Sequence, residues 1–365
     1  MLTRDQLAEL SRGLQEQKVL TVYVDGEGKD PARRRVWRRR LAHELEREEH
    51  RLQRLDSGEL TDFKAAEGLL LKELDGYQAF LPSKGWVGFA TPSGLRHSES
   101  LPVQVPNLVR WEQGPRVAPY IRGLKQLRPM AIALMDSRRS RIFLYTEGSV
   151  EEVEDLRADT FMGDLQDLSA PQRTGRYSGT RGEVATDAAQ RYLEKGTIRM
   201  LRRVKEVCTA LMSPDGFLLL GGEQEAVATL RPMLPKGMDR RILENPSLYL
   251  EVPMPELKAA AAEGASTLSK LRQNSLLDQI VEQTHSGGNG SLGAEETVRA
   301  LREGRVDILA LSRSFVEANP DLADQFVTDA FHQAADVRVF SGEPAERLDA
   351  EGGGVGARLR YRWRV

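Results

Sequence analysis

The sequence has 365 residues, which is more than one hydrophobic core of ordinary size accommodates, and we expect three domains. Lys and Arg (52) nearly balance Asp and Glu (54), so binding to nucleic acid must come from local patches rather than from the net charge. The one cysteine, Cys208, excludes an internal disulfide and a zinc site built from thiolates. No stretch reaches the roughly 20 apolar residues of a membrane span, and no apolar signal region opens the chain. The composition therefore predicts a cytoplasmic protein without a membrane partner.

Residues 1–115 are predicted to form an α/β domain. A short helix capped by Thr3 precedes a strand at 19–24, and a long helix begins at Pro31 and ends near Leu55. Arginines crowd the first two turns of this helix and glutamates follow. The pattern is equally typical of a solvent-exposed helix with ion pairs between its own side chains and of a helix face that binds phosphate. On the second interpretation, Arg34 and Arg38 are candidate RNA contacts.

The rest of this domain is predicted to contain a helix at about 62–80 and strands at 86–90 and from Leu95 onward. Four prolines between 102 and 119 then break regular structure. We therefore expect a domain boundary at about residue 115.

The middle domain, residues 116–254, has the clearest strand signals. The apolar run 130–135, a turn at 136–140 and the aromatic and branched run 141–145 predict a hairpin, and a more polar strand from Val150 extends it to a meander. A long helix at about 183–212, a buried strand at 217–220 and a helix from about Glu223 follow. This order of elements predicts a ribonuclease-H-like layer.

The loop between the meander and the long helix is basic. Residues 169–182 carry arginines and glycines but no acid, and they have almost nothing to bury. One interpretation is a flexible surface loop whose cations are solvated. We favour RNA contact. Flexible glycines let the loop follow a nucleic-acid backbone, arginines bind its phosphates, and tyrosine can stack on a base. The candidate RNA-binding residues of the loop and of the helix face after it are Arg173, Arg176, Tyr177, Arg181, Arg191, Lys195, Arg199 and Arg202.

The last domain, residues 255–365, is predicted to begin with a long helix at 255–284 and a glycine-rich linker at 287–290. Alternating helices and strands then predict a small α-β-α sandwich, with a final strand at 357–363. Residues 360–364 hold three arginines that alternate with two aromatics. They form either an edge strand protected by charge or a second RNA-facing patch.

Several motifs, in this order, resemble the bacterial relatives of the archaeo-eukaryotic class-1 release factors and Pelota. They are VLTVYVD at 19–25, RVAPYIR at 116–122, the meander with its turn at 136–139, TVRALREGRVDIL at 297–309 and GGGVGARLRY at 352–361. The resemblance implies a divergent N-terminal domain, a ribonuclease-H-like middle domain and a C-terminal domain like the kink-turn-binding ribosomal proteins. It also implies a translation factor that binds rRNA in the ribosomal A site, with tRNA and a translational GTPase as further partners.

One departure from the family pattern bears on catalysis. Release factors carry Gly-Gly-Gln on the middle-domain loop, where this chain reads Gly175-Arg-Tyr-Ser-Gly179. The resemblance therefore favours Pelota and the Balon-type hibernation factors, which occupy the A site without cleaving peptide. We expect no catalytic residue, cofactor or metal. The alternative is an enzyme, a peptidyl-tRNA hydrolase or a nuclease, for which acids of the middle domain are candidates by location. These acids are Asp136, Asp155, Asp159 and Asp187.

Overall fold

The computed structural model describes residues 1–26, 36–55, 58–77, 80–126, 128–146, 148–158, 185–212 and 215–362, apart from the side chains of 126 and 185–193. The chain is a mixed α/β protein whose strands form three sheets, as predicted. It divides into two compact units. One unit combines residues 1–127 with 273–365, and the other contains residues 128–272. Across the described ranges, no helix combines the length and apolar character that a membrane span requires.

The N-terminal part of the first unit is an antiparallel sheet with helices on both faces. Its elements are α1 (Arg4–Leu14), β1 (Lys18–Asp25), α2 (Val36–Leu55), α3 (Leu60–Leu74), β2 (Gly85–Thr91), β3 (Gly94–Leu101), β4 (Leu108–Gln113) and α4 (Ala118–Gln126). The strand order is β3-β2-β1-β4. Alternate side chains of β1 enter two cores, Leu20 with α2 and α3, and Tyr23 with α1 and α4. The sheet is thus buried on both faces.

The stretch in which prolines predict a boundary contains two regular elements, β4 and α4. Pro102 and Pro106 lie between β3 and β4, and Pro115 lies between β4 and α4. Pro119 is the second residue of α4, in the first turn, where its missing N–H costs no helical hydrogen bond. Because β4 pairs with β1 over six residue pairs, this stretch belongs to the first sheet.

The outer side of β4 is capped by side chains of α2. The backbone N–H of Trp111 donates to Glu48 Oε1 at 2.7 Å, and the Trp111 carbonyl accepts from Arg51 Nη2 at 3.1 Å. Glu48 is almost completely buried and also binds Arg51 Nη2 at 2.6 Å. An exposed edge strand is a template for pairing with other chains, and this ion pair satisfies the edge at Trp111.

Residues 128–272 form the second unit. Its elements before the last helix are β5 (Met130–Met135), β6 (Arg139–Thr146), β7 (Ser149–Arg157), α5 (Ala185–Leu211), β8 (Phe217–Gly222), α6 (Gln224–Leu230) and β9 (Ile242–Glu244), with short 3₁₀ helices at Arg231–Met233 and Asp239–Arg241. The sheet order is β7-β6-β5-β8-β9, with an antiparallel meander and two further strands parallel to β5. The predicted meander, long helix and buried strand are confirmed, and they have the strand order of a ribonuclease-H-like layer.

Helix α7 (Met254–His285) contributes to both units. Leu257, Ala261 and Leu268 pack against the sheet of the second unit, whereas Leu277 and Ile280 pack in a core of the first unit. Leu268 and Leu277 are nine residues apart, about two and a half turns, so no single apolar stripe runs the length of the helix.

The C-terminal part of the first unit is an α-β-α sandwich, as predicted. Its elements are β10 (Gly290–Leu292), α8 (Ala294–Arg302), β11 (Val306–Ser312), α9 (Arg313–Ala318), α10 (Pro320–His332), β12 (Asp336–Phe340), α11 (Glu343–Gly352) and β13 (Val355–Leu359). The order is β10-β13-β11-β12, with α8 and α10 on one face and α7 and α11 on the other. The final strand ends at Leu359 and lies inside the sheet, so the prediction that it extends to 363 is wrong. Residues 360–362 are not in a strand, which contradicts the edge-strand interpretation of 360–364.

The N- and C-terminal parts of the first unit share one hydrophobic core and one ion cluster. Leu7 and Tyr120 lie in the same buried cluster as Phe326. Next to this core, Asp324 Oδ2 accepts a hydrogen bond from Arg116 Nε at 2.7 Å, and Asp324 Oδ1 accepts one from Arg122. Burial disfavours the charged guanidinium of Arg116, but the carboxylates of Asp324, Glu112 and Asp321 together outweigh this effect and raise the pKa of Arg116.

We predict that Asp324→Ala destabilises the protein by about 3 kcal/mol, because it leaves the largely buried Arg122 without its carboxylate and Arg116 with only the exposed Asp321 as a close partner. Chemical denaturation measures the loss, with Asp324→Asn as a milder second variant. Hydrogen exchange should accelerate in β1 and β11 together and stay unchanged in β5.

The matched control is Asp278→Ala. Asp278 pairs with Arg347 at 2.8 Å but is well exposed, so its loss should cost less than about 1 kcal/mol. Equal losses for the two variants, or faster exchange in β1 but not in β11, would show that the Asp324 cluster does not join the two parts.

Candidate nucleic-acid interface

The second unit presents cations on one face of α5. The opposite face of this helix packs on the sheet through the buried residues Met200, Leu201, Val204 and Cys208, and Met212 directly after the helix lies in the same core. Three predicted residues, Lys195, Arg199 and Arg202, are exposed. They follow one another at spacings of four and three, which places them along one face of the helix. The apolar stripe therefore fixes the helix and directs these cations to solvent.

Two further residues attach α5 to the meander. Thr197 Oγ1 donates to the carbonyl of Ser137 at 2.7 Å, and Arg203 Nε donates to Glu154 Oε1 at 3.1 Å. The hydrogen bond that Arg203 donates to Glu154 raises the pKa of Arg203. The partners are 60 and 49 residues away in sequence, so sequence reasoning missed both anchors. Glu154 thus holds Arg203 against the meander.

All four predicted RNA contacts of the loop lie outside the described residues, namely Arg173, Arg176, Tyr177 and Arg181. Arg34, predicted as a contact of the first domain, also lies outside them. Arg191 lies in α5, but its side chain is not described. The described part of the chain brings together Lys195, Arg199 and Arg202, and the contribution of the loop stays a prediction.

Arg38 makes contacts inside the N-terminal helical layer. Its Nη2 donates to the carbonyls of Leu74 at 3.3 Å and Tyr77 at 2.8 Å, and its Nη1 to Asp75 Oδ1 at 3.3 Å. Its guanidinium also lies 4.9 Å from the ring centroid of Trp37. These carbonyls are at the C-terminal end of α3, where cations are favoured. Arg38 thus ties α2 to α3, and its proposed RNA contact stays a prediction.

The acids proposed for an enzyme have local partners where they are described. Asp136 accepts from the backbone N–H groups of Arg138 and Arg139 at 2.6 and 2.7 Å, as a turn residue does. Asp155 binds Arg139 at 3.0 and 2.7 Å, and this hydrogen bonding lowers the pKa of Asp155. Asp159 and the side chain of Asp187 lie outside the described residues. Among the side chains that are described, no three of the types His, Cys, Asp and Glu cluster as a metal site.

The single thiol is part of the core. Cys208 is completely buried on the sheet-facing side of α5, and burial raises its pKa to about 12. Since the thiolate is the reactive form, this cysteine has a structural role.

At the C-terminal end, Arg360 Nη2 donates to the carbonyl of Gln333 at 2.7 Å, and Tyr361 is exposed. Residues 363–365 lie outside the described residues. The second interpretation of 360–364, an RNA-facing patch, stays a prediction.

Comparisons with known proteins give one family and several distant structures. Residues 115–269 match the bacterial archaeo-eukaryotic release factor family 10, and no curated protein matches the chain. Dom34 of S. cerevisiae, a translation termination-like factor that interacts with Hbs1, is 12% identical over 70% of this chain and 71% of its own, with a TM-score of 0.46. Archaeal Pelota, in a model of ribosome-bound Pelota and ABCE1, is 12% identical over 99% and 95%, with a TM-score of 0.45. Pelota of Archaeoglobus fulgidus is 12% identical over 100% and 94%, with a TM-score of 0.36.

We predict that Arg38→Ala lowers the free energy of unfolding by about 1.5–3 kcal/mol, because hydrogen bonds that involve a charged group are lost at the end of α3. Arg39→Ala is the control, since Arg39 is exposed on the next position of the same helix and should change stability by less than about 0.5 kcal/mol. Urea denaturation compares the two variants. If they are equally stable, Arg38 does not hold α2 to α3.

Proposed function

We propose that this chain is a non-catalytic factor that binds the ribosomal A site, in hibernation or in handling stalled ribosomes, because residues 115–269 match the bacterial archaeo-eukaryotic release factor family 10. Its proposed partners are rRNA, tRNA and a translational GTPase, as the sequence motifs imply. It acts in the cytoplasm.

One observation carries the proposal: the segment that matches the family includes the cationic face of α5. Lys195, Arg199 and Arg202 lie within residues 115–269 and are exposed on a helix that the sheet holds by its other face. Phosphate contacts supply most of the sequence-independent affinity for nucleic acid and fix the orientation of a bound protein. A rigid helix with three solvent-facing cations supplies such contacts without ordering a flexible segment.

Two features support a role without catalysis. The triplet Gly-Gly-Gln does not occur in the sequence, and Gly221-Gly222 is followed by Glu223 at the turn between β8 and α6. A magnesium-dependent nuclease needs carboxylates that converge on a metal. Within the described residues, Asp155 instead binds Arg139, and Asp136 closes a turn.

We predict that the double variant Lys195→Glu/Arg202→Glu binds ribosomes at least about tenfold more weakly, a change of about 1.4 kcal/mol, because two phosphate contacts become repulsive. Co-sedimentation over a range of salt concentrations measures the affinity. The triple change of Arg173, Arg176 and Arg181 to Glu should have a larger effect. Melting temperatures should hardly change, since surface substitutions alter stability by less than about 0.5 kcal/mol.

The control for this variant is Lys258→Glu/Lys270→Glu, which makes the same charge change at exposed positions of α7 within the second unit. If both double variants weaken binding equally, the effect comes from net charge, and the α5 face is not the contact surface.

A separate prediction concerns peptide release. The purified protein should release no peptide from programmed ribosomes above background, because it lacks Gly-Gly-Gln. Gln172, which lies outside the described residues, is the one glutamine of the basic loop. Clear release that disappears in Gln172→Ala would identify a catalytic factor and overturn the proposal.

A further inference from the structure

The unit formed by residues 1–127 and 273–365 has a groove of about 1160 Å³ that the proposed α5 contact does not involve. The second half of α2 forms one wall, and residues 110–113 of the edge strand β4 form the floor. Lys18, Arg116 and Asp321 complete it. The opening is therefore bounded by both the N- and the C-terminal part of this unit.

In three ion pairs of this groove, the cation is more exposed to solvent than its carboxylate partner. The exposed side-chain fraction is 62% for Arg47 and 18% for its partner Glu44. It is 42% for Arg51 and 3% for Glu48, and 44% for Lys18 and 29% for Glu59. In each of these pairs, the carboxylate is recessed and the cation faces solvent. The acids thus orient the cations and leave them accessible to a ligand.

Arginines form a row along this wall. Arg47, Arg51 and Arg54 are spaced by four and three residues on α2, so they lie on one face of the helix. A guanidinium has five N–H donors. Arg47 binds Glu44 through Nη1, and Arg51 binds Glu48 through Nε and Nη2, so other donors of both side chains are available for an anion.

The charge of the lining differs from that of the whole chain. Its cations are Lys18, Arg47, Arg51, Arg54, Arg110 and Arg116, and its acids are Glu44, Glu48, Glu59, Glu112 and Asp321. The exposed Asp321 is engaged by Arg116 at 2.5 Å and lies 3.9 Å from Arg110. Because most of these acids are recessed or engaged, the accessible lining is cationic, although the chain carries a net charge of −2.

The groove offers few apolar anchors. Leu52 and Trp111 line it but are almost completely buried, and Leu55 is the exposed large apolar side chain at its end. Protein partners are usually held by aromatic and aliphatic anchors that fill pockets, and base readout from single strands uses exposed aromatic rings. The groove therefore suits a partner that carries repeated negative charges along an extended backbone.

We infer that this groove binds the phosphate backbone of an RNA strand without base specificity, through Arg47, Arg54 and the outward donors of Arg51. The inference deepens the proposed function and rests on it for the source of the RNA, the ribosome. It places an RNA contact on the first unit, in addition to the α5 face of the second unit.

The test uses the full-length double variant Arg47→Gln/Arg54→Gln and a short fluorescein-labelled oligouridylate as the probe. Arg51 stays unchanged because it caps β4 with Glu48. Fluorescence anisotropy should show affinity for the probe reduced at least about tenfold, with a salt slope about 1.4 units shallower, since each lost single-strand phosphate contact removes about 0.7. The control is Arg299→Gln/Arg302→Gln, which removes two exposed arginines from α8 of the same unit and should bind like the wild type.

Wild-type affinity and salt slope in the Arg47→Gln/Arg54→Gln variant would overturn the inference, as would tighter binding of labelled polyglutamate than of the oligouridylate by the wild type. Ribosome co-sedimentation separates this outcome from failure of the proposed function. If the wild type sediments with ribosomes and the variant binds both ribosomes and probe normally, only the groove assignment fails. If the wild type does not sediment but the variant loses the probe, the groove assignment stands and the ribosomal role fails.

Discussion

The carboxylate of Asp324 is the interaction on which the organisation of the first unit depends. It receives Arg116 and Arg122 from the N-terminal part, and it lies on a helix of the C-terminal part. Residues separated by about two hundred positions are thereby joined beside a shared apolar core. Burying this ion cluster is costly unless every charge is matched, so the pairing favours the packing of α10 against α4. The same Arg116 also binds Asp321, which forms part of the wall of the basic groove.

Local pattern predicted most elements of the fold. The meander, the helix after the basic loop and the alternation of the last domain follow from runs, periods and turns that are contiguous in sequence, and the structure confirms them. The elements that the sequence did not predict depend on contacts between residues that are distant in sequence. The sequence did not predict β4, because the prolines on either side of it indicated irregular structure, whereas the structure shows it paired with β1. The three-residue β9 is recognisable as a strand only by its pairing with β8. The periodicity of α7 could not show that its two halves enter different cores.

The candidate site was predictable only in part. Helical spacing was enough to identify the exposed row of Lys195, Arg199 and Arg202, because a buried stripe on the opposite face fixes its direction. Sequence could not distinguish a cation available to a ligand from one that stabilises the fold. Arg38 reaches carbonyls at the end of the next helix, and Glu48 reaches the backbone of a strand 63 residues away. In both cases the partner is set by tertiary packing, which no spacing rule encodes.

Net charge is a poor guide to electrostatic binding in this chain, and the ion pairs explain why. A recessed acid lowers the net charge of a surface but also fixes the guanidinium in front of it, which reduces the entropy lost when an anion binds. On α2, Glu44 and Glu48 act in this way on Arg47 and Arg51. The exposed cations of α5 lie on a helix whose opposite face is packed on the sheet. Two cationic surfaces of different construction thus lie on separate compact units of a chain with more acids than bases.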